Sequence, residues 1–210
     1  HTRCICHRRT KVNIDKHGNL WVLTDNWIFC REAGDKHFKR ISPVGDVPKK
    51  TIYSMCCDED YVWFGAADKI YRYSYSENRL KLFCNLKGEN HFVFWQMNLL
   101  ADDTILCCSH DGILLIDRQT GKISQRPFGS RREVSSAMVD SRGYVWIAFY
   151  NRGIEVYSQD NVLVKKYTTE NSDLSHNVVL CMTERDSIIW AGTDGGAINV
   201  IDPSTDRIKR

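Results

Sequence analysis

The stretch IIWAGTDGGAINVIDPST, residues 188–205, decides the fold of this chain. Its first part, IIWAGT, is rich in residues that favour β-strands, and the following DGG tolerates the positive φ angles of a tight turn. The apolar run AINVI is a second candidate strand, which ends at DP because proline lacks the backbone N–H that a sheet needs. The stretch therefore predicts two antiparallel strands joined by a tight turn.

The same pattern recurs along the chain. Related segments are GNLWVLTDNWIFCRE around Trp21, DYVWFGAADKIYRYS around Trp63 and GYVWIAFYNRGIEVYS around Trp146. A weaker copy, DTILCCSHDGILLIDRQTGK, carries Leu106 where the others carry tryptophan. Together with Trp190, these anchors are 42, 43, 40 and 44 residues apart. A nearly constant period built from strand-type segments indicates a repeat protein.

Each repeat contains enough strand-type sequence for four strands. In the last copy these are residues 178–183, 188–193, 197–201 and a strand beginning at Arg207, with short connections between them. A repeated four-stranded antiparallel meander of this length is typical of a β-propeller blade. The sequence thus predicts an all-β propeller, in which residues 1–10 end a preceding blade or form a linker. The predicted blades are 11–50, 51–90, 91–131, 132–172 and 173–210.

The anchor of each repeat is predicted to be a core residue. A buried indole covers about 150–250 Å², enough to fill the wedge between neighbouring blades. The predicted anchors are Trp21, Trp63, Leu106, Trp146 and Trp190. Acidic residues recur at the turn before the anchor, where a carboxylate can accept hydrogen bonds from the turn backbone. These acidic residues are Asp15, Asp58, Asp140 and Glu184.

Charge and hydropathy exclude two classes of partner. The 29 basic and 26 acidic side chains are well mixed and give a net charge of +3, whereas a nucleic-acid-binding domain concentrates basic residues in a patch. No apolar run approaches the roughly 18 residues that a membrane helix needs. We therefore expect no nucleic acid contact by this segment and no insertion of it into a membrane.

The nine cysteines fall mostly inside predicted strands, at positions where other repeats carry valine, methionine or alanine. We interpret them as small buried core residues, and their number without regular spacing suggests a reducing compartment. The CICH motif at residues 4–7 lacks a second pair of ligands at zinc-like spacing. The sequence therefore predicts neither a metal site nor a cofactor.

The repeats resemble the two-component regulator propeller repeat. In that family a blade opens with an S-x-N-x-V motif, continues with a W-[IV]-G-T core, and closes with a glycine, apolar residues and an acidic or serine residue. The last copy matches this pattern at Leu174, Ser175, Asn177, Val178, Trp190, Gly192, Thr193, Gly196 and Asp202. Other copies match in part, as at Trp63 with Gly65 and at Trp146 with Gly153. The resemblance covers residues 11–210.

This resemblance implies the ligand-sensing region of a hybrid two-component system, located as a periplasmic domain of an inner-membrane protein. The parent protein of such a sensor also carries a histidine kinase and the phosphorelay and DNA-binding domains that control transcription, and the implied ligand is an oligosaccharide. The periplasm conflicts with the reducing compartment that the cysteines suggest. We give the repeat more weight, because the cysteine argument is only compositional.

The number of repeats also bears on partners. Propellers of the resembled family have about seven blades, within the range of propellers generally, and five copies are present here. We therefore expect the remaining blades and the signalling domains of the parent chain to be partners. A blade cannot bury both of its faces alone, so we also expect this chain to form a homodimer.

One face of the predicted propeller is the candidate ligand site. In a meander, the loop between the second and third strands opens on the same face as the loop to the next blade. A sugar presents an apolar ring face and hydroxyl edges, which suit an aromatic ring beside amide and guanidinium donors. The predicted ligand-binding residues are Tyr150, Asn151, Arg152, Trp27, Lys69, His91, His110, Asp111 and Arg131. The alternative is an exposed polar loop without a ligand.

Two other functions stay open: a scaffold for protein partners and a propeller glycosidase or lyase. An enzyme of the second kind needs two carboxylates at a suitable separation on one face, and no sequence pattern locates such a pair. The motifs G-x-S-x-G, H-E-x-x-H and G-x-x-x-x-G-K-[ST] do not occur. We therefore predict no catalytic residue in this chain.

Overall fold

The structure is a computed structural model that describes residues 10–24, 27–42, 52–66, 69–85, 96–100, 103–109, 112–125 and 134–210. Within these ranges the chain forms twenty strands and no helix. The strands make five four-stranded antiparallel sheets in which neighbours in the sheet are neighbours in the chain. This confirms the predicted all-β fold built from propeller blades. Each sheet lies within one predicted repeat, and the exact blade boundaries stay predictions.

The chain divides into two compact units, of which the first is His1–Leu99. Its strands are β1 (Lys11–Ile14), β2 (Leu20–Leu23), β3 (Ile28–Arg31), β4 (Lys39–Ile41), β5 (Ile52–Cys57), β6 (Tyr61–Ala66), β7 (Lys69–Ser74), β8 (Arg79–Asn85) and β9 (Gln96–Leu99). Sheet 1 consists of β1–β4 and sheet 2 of β5–β8. Strand β9 is the first strand of sheet 3.

The second unit is Leu100–Arg210. Its strands are β10 (Thr104–Ser109), β11 (Gly112–Asp117), β12 (Ile123–Gln125), β13 (Val134–Val139), β14 (Val145–Phe149), β15 (Gly153–Tyr157), β16 (Leu163–Tyr167), β17 (Val179–Arg185), β18 (Ile188–Thr193), β19 (Ile198–Asp202) and β20 (Arg207–Lys209). The first three of these strands complete sheet 3, β13–β16 form sheet 4 and β17–β20 form sheet 5.

Sheets 1 and 2 pack through faces of different kinds. We call the side of a sheet that carries its anchor residue the anchor face, and the opposite side the cover face. Trp21, on the anchor face of sheet 1, lies with its ring centroid 5.9 Å from that of Phe64 and 5.0 Å from that of Tyr73. Phe64 directly follows Trp63, so it points to the cover face of sheet 2. The anchor face of one sheet is thus covered by the next sheet.

The second unit repeats this arrangement twice. Trp146 of sheet 4 shares a buried cluster with Ile189 and Ala191, which flank the anchor of sheet 5 and therefore lie on its cover face. Leu106 of sheet 3 shares another cluster with Ile147 on the cover face of sheet 4. Within each unit, the anchor face of one sheet is therefore buried against the cover face of the following sheet.

Burial confirms four of the five predicted anchors and contradicts the fifth. Trp21, Trp63, Leu106 and Trp146 are at most 1% exposed. Trp190 is 40% exposed, so its prediction as a buried core residue is wrong. The physical reason is its place in the chain order: among the described residues no sheet follows sheet 5, and the anchor face that carries Trp190 has nothing over it.

The acidic residue at the first turn ties the turn to the anchor. The Asp15 carboxylate accepts hydrogen bonds from the backbone N–H groups of His17 and Asn19 at 2.9 and 2.8 Å, and from Nε1 of Trp21 at 2.7 Å. The same bond from indole to carboxylate joins Trp63 to Asp58 at 2.8 Å and Trp146 to Asp140 at 3.0 Å. The predicted turn carboxylates thus also satisfy the one polar atom of each buried indole.

Glu184 departs from this pattern. The turn before Trp190 consists of Asp186 and Ser187, both with positive φ, and a two-residue turn of this kind closes the hairpin without needing a side-chain hydrogen-bond acceptor. Glu184 instead accepts hydrogen bonds from the backbone N–H and the hydroxyl of Ser141 in sheet 4, at 2.7 and 2.6 Å. The prediction that Glu184 binds its own turn is therefore wrong, and the residue links two sheets.

The cysteines are mostly placed as expected. Cys30, Cys56, Cys107 and Cys108 are buried in strands. Burial raises the pKa of the Cys30 thiol to about 11. Cys181 is the exception, because it is exposed on β17. It pairs with Gly192 and therefore lies on the uncovered anchor face of sheet 5.

Candidate functional site

The best described part of the predicted ligand face is the turn between β14 and β15. Tyr150, Asn151 and Arg152 form this turn, and Tyr150 is 57% exposed. In the described part of the chain, the Tyr150 ring makes no hydrogen bond or ring contact. The Arg152 guanidinium lies 4.5 Å from the centroid of the buried Phe149 ring. The turn therefore presents an open aromatic ring beside an arginine whose guanidinium packs against a buried core ring.

Gly153 fixes the position of this turn. Its φ is +75°, a value that disfavours other residues, and its N–H donates to the carbonyl of Asn177 at 2.9 Å. A Cβ atom on this residue would lie 2.0 Å from the carbonyl oxygen of Tyr167. The chain thus passes too close to its neighbour for any side chain here, and the turn is seated on the segment that connects sheets 4 and 5.

That connecting segment, residues 168–178, is itself held by side-chain hydrogen bonds. The Asn177 amide accepts from the Thr169 N–H at 2.9 Å and donates to Glu170 Oε1 at 3.1 Å. Hydrogen bonding lowers the pKa of Glu170 to about 2, with Thr168 as the largest contributor and Thr169 and Asn177 adding to it. The segment beneath the turn is therefore tied by a carboxylate that stays charged.

A second network fixes the other end of the segment. Asn199 is fully buried, accepts from the Ser175 N–H at 2.8 Å and donates to the Ser175 hydroxyl at 2.9 Å. The Ser175 and Thr193 hydroxyls are 2.9 Å apart, and the N–H of Asp194 donates to the carbonyl of Val178 at 2.9 Å. The turn with Asp194 is thus joined to the same segment as the turn with Tyr150.

The structure places the other predicted ligand residues unevenly. Trp27 directly precedes β3 of sheet 1, and Lys69 begins β7 of sheet 2, each six residues after its anchor. Trp27 is 49% exposed, but the Arg40 guanidinium lies 4.5 Å from its ring centroid and covers one face. Lys69 is half-buried as the first residue of β7. The predicted residues His91, His110, Asp111 and Arg131 lie outside the described residues.

Sequence reasoning missed a set of irregular positions at the same end of the sheets. The register of the first strand shifts at the same repeat position in sheets 2, 4 and 5. The residues at these β-bulges are Tyr53, Ser135 and Leu180. Ser135 donates its hydroxyl to the carbonyl of Val179, whereas Leu180 is 50% exposed. Bulges re-aim side chains at sheet edges, and no residue type in these copies marks them in advance.

The described residues hold no group of three or more histidine, cysteine or acidic side chains able to bind a metal ion. They also contain no helix of the length and apolarity that crossing a membrane requires. What the face offers is an exposed ring, amide and guanidinium donors, and a rigid support. This chemistry suits recognition of a polar ligand that has an apolar face.

No protein-family model and no curated protein matches this chain. Its fold is similar to that of solved structures. The extracellular domain of BT3049 from B. thetaiotaomicron, assigned as a hybrid two component system, is 19% identical, with a TM-score of 0.77 over 98% of this chain and 29% of that chain. The corresponding domain of BT4673 is also 19% identical, with a TM-score of 0.71 over 99% of this chain and 28% of that chain.

Virginiamycin B lyase from Staphylococcus aureus is another similar structure. It is 19% identical, with a TM-score of 0.73, over 94% of this chain and 67% of that chain. The chain therefore spans less than a third of the two extracellular domains and about two thirds of the lyase. At these identities the likeness establishes the fold, which is that of a β-propeller.

Proposed function

We propose that this chain belongs to the extracytoplasmic sensing propeller of a hybrid two-component signalling protein. In this proposal the propeller is a periplasmic domain of an inner-membrane protein, binds an oligosaccharide and relays binding to a histidine kinase that controls transcription. The repeat motif of the last copy and the similarity to two extracellular domains assigned to such systems support it. The chain itself acts as a binding module, without a catalytic residue.

The observation that carries the proposal is the turn at Tyr150. The Tyr150 ring is 57% exposed and has no partner among the described residues, and the turn that carries it is held by the bond from the Gly153 N–H to the Asn177 carbonyl. The ring can stack on the apolar face of a sugar, while Asn151 supplies an amide and Arg152 a planar set of N–H donors for hydroxyl groups. Because Gly153 and Asn177 fix the turn, little conformational entropy is lost when a ligand binds.

The test measures oligosaccharide binding to this chain. A panel of oligosaccharides released from plant and animal glycans is screened on an array, and hits are measured by calorimetry. Tyr150→Ala should weaken binding by roughly 2–10-fold through loss of ring contact, and Arg152→Ala by roughly 10–100-fold through loss of charged hydrogen bonds. The matched control is Val162→Ala, because Val162 is 59% exposed but lies in the β15–β16 turn at the opposite end of sheet 4.

The outcomes separate the candidate functions. Binding that is unaffected by Tyr150→Ala and Arg152→Ala would place the ligand elsewhere on the chain. Absence of oligosaccharide binding, together with saturable binding of a purified protein partner, would favour the scaffold. Conversion of an oligosaccharide into products would favour a glycosidase or lyase.

A further inference from the structure

Asp194 occupies in sheet 5 the position that Tyr150 occupies in sheet 4, because each lies four residues after its anchor. It directly follows β18 and is exposed on the turn that leads to β19. In the described part of the chain, its carboxylate accepts no hydrogen bond and forms no ion pair. The turn therefore presents a charged acceptor at the same end of the sheets as the Tyr150 ring.

Other side chains keep the Asp194 turn closed. The Thr193 hydroxyl donates to the carbonyl of Ala197 at 3.0 Å, and the N–H of Ala197 donates to the Ser175 hydroxyl at 3.5 Å. An aspartate at the start of a turn commonly accepts a hydrogen bond from the backbone N–H two residues later, as Asp202 does at 2.9 Å. The Asp194 carboxylate has no such part in its own turn, so the fold does not account for it.

The turn has one packed side and one open side. A Cβ atom on Gly196 would lie 2.4 Å from Oγ1 of Thr193 and 2.8 Å from Oγ of Ser175, whereas one on Gly195 would meet nothing within 4 Å. The space directly after Asp194 is therefore open, and a ligand can approach the carboxylate there.

Asp194 is also held close to the Tyr150 turn. The N–H of Gly153 donates to the carbonyl of Asn177, and the N–H of Asp194 donates to the carbonyl of Val178, both at 2.9 Å. Asn177 and Val178 are consecutive residues, whose Cα atoms are about 3.8 Å apart. The two turns thus rest side by side on one segment, and an oligosaccharide stacked on Tyr150 is brought next to Asp194.

The charge around Asp194 favours a neutral sugar. Glu170 and Asp173 are further exposed carboxylates on the supporting segment, whereas Arg152 places a positive charge on the Tyr150 turn. A carboxylate is purely an acceptor, and its two oxygens can accept hydrogen bonds from two neighbouring hydroxyl groups. A uronate or a sulfate group at this place would bring like charges together, which is unfavourable.

We propose that Asp194 is a specificity-determining residue of the ligand site. Its carboxylate accepts hydrogen bonds from two neighbouring hydroxyl groups of a neutral sugar residue and disfavours a uronate or sulfated sugar at that position. The inference rests on the proposed function, because it takes the ligand to be an oligosaccharide bound at Tyr150. It adds a second contact turn and a substrate class to that function.

The test measures the affinity of matched neutral and anionic probes by calorimetry. The neutral probes are tetrasaccharides of glucose, galactose and mannose in α and β linkage, and each anionic counterpart has its C6 groups oxidised to carboxylates. The neutral member of a pair should bind more tightly. Asp194→Asn should weaken its binding by about 5–10-fold, because a hydrogen bond to a neutral amide is weaker than one to a carboxylate. The same change should strengthen binding of the anionic member by about 2–5-fold, because it removes a repulsive charge.

These opposite changes separate a role in specificity from a structural one, which would weaken both members alike. The matched control is Asp160→Asn. Asp160 is an exposed aspartate in the β15–β16 turn at the opposite end of sheet 4, and its carboxylate also has no partner among the described residues. This variant should bind both probes like the unmodified chain, and circular dichroism verifies the fold of both variants.

The outcomes distinguish this inference from the proposed function. Tighter binding of an anionic probe, or binding that Asp194→Asn leaves unchanged or weakens equally for both members, would overturn the inference and leave an oligosaccharide sensor in place. An equal effect of Asp160→Asn would also overturn it, since the charge would then act without regard to position. Absence of binding by every probe would overturn the inference together with the proposed ligand class.

Discussion

Removal of the Asp15 carboxylate should measure how much the β1–β2 turn and the anchor Trp21 stabilise each other. This carboxylate accepts five hydrogen bonds, from two backbone N–H groups, the Asn19 amide, the Trp21 indole and the Tyr75 hydroxyl. Burial alone would raise its pKa, but the bonds from Trp21, Tyr75 and Asn19 outweigh burial and lower it. The carboxylate is therefore charged at neutral pH, which strengthens each of these bonds.

Asp15→Ala should destabilise the first unit by about 2–4 kcal/mol. The Trp21 indole is 1% exposed, and a buried donor left without an acceptor costs about 1–3 kcal/mol. The turn amides can bond to water instead, so their loss adds about 1 kcal/mol at the net value of an ordinary hydrogen bond. The matched control is Asp60→Ala in the equivalent turn of sheet 2, an exposed position where the change should stay within about 0.5 kcal/mol.

A double-mutant cycle separates the two contributions. In a Trp21→Phe background no indole N–H remains, so Asp15→Ala should cost about 1–3 kcal/mol less than in the unmodified chain. The free energies of unfolding come from urea denaturation followed by circular dichroism. If the two changes prove additive, the indole is satisfied in some other way and the reasoning about turn and anchor is refuted.

Three further predictions concern single positions. Gly153→Ala should lower the free energy of unfolding by more than Gly195→Ala does, because a Cβ on Gly153 would meet a backbone oxygen at 2.0 Å whereas one on Gly195 would meet nothing within 4 Å. For Gly195→Ala the positive φ alone predicts a loss of about 1–2 kcal/mol. Urea denaturation measures both losses. The lowered pKa of Glu170 stabilises the fold at pH values above the unfolded pKa of 4.5, and this stabilisation is lost as the pH falls toward about 2. Glu170→Gln should therefore weaken the dependence of the urea midpoint on pH between about 4.5 and about 2. An unchanged dependence of the midpoint on pH would contradict this. At about pH 8, iodoacetamide should label Cys181 rapidly and Cys30 only after unfolding, as mass spectrometry of peptides would show.

Most of the fold could be predicted from the sequence, because the packing of one blade on the next follows the repeat period and the alternation of residues along each strand. Alternation along a strand decides which face a residue occupies, so Trp21 and Trp146 could be assigned to the core from their spacing alone. Trp190 shares that pattern but is exposed, because burial also depends on whether a following sheet is present. Glu184 and Asp140 each lie six residues before their anchor, but the turns that follow them differ in type. The spacing alone could not reveal this difference.

The candidate site could be predicted only in outline. The turn at Tyr150 was found because its residue types differ from the DGG of the last repeat. The segment that supports this turn was not predicted, because the hydrogen bond from Gly153 to Asn177 joins residues far apart in the chain and no local sequence pattern indicates it. The exposed Leu180 was missed for a related reason: a bulge is a property of two strands together, and it changes the direction of a side chain without changing the sequence period.

The polarity of the sheets, with an anchor face on one side and a cover face on the other, has a genetic consequence. Since each junction described within a unit joins the same two kinds of surface, no sheet specifies how many others accompany it. Duplication or deletion of one whole repeat, which is 40 to 44 residues long in this chain, leaves an anchor face and a cover face at each remaining junction. Unequal recombination between copies can therefore change the blade number without a new interface having to arise.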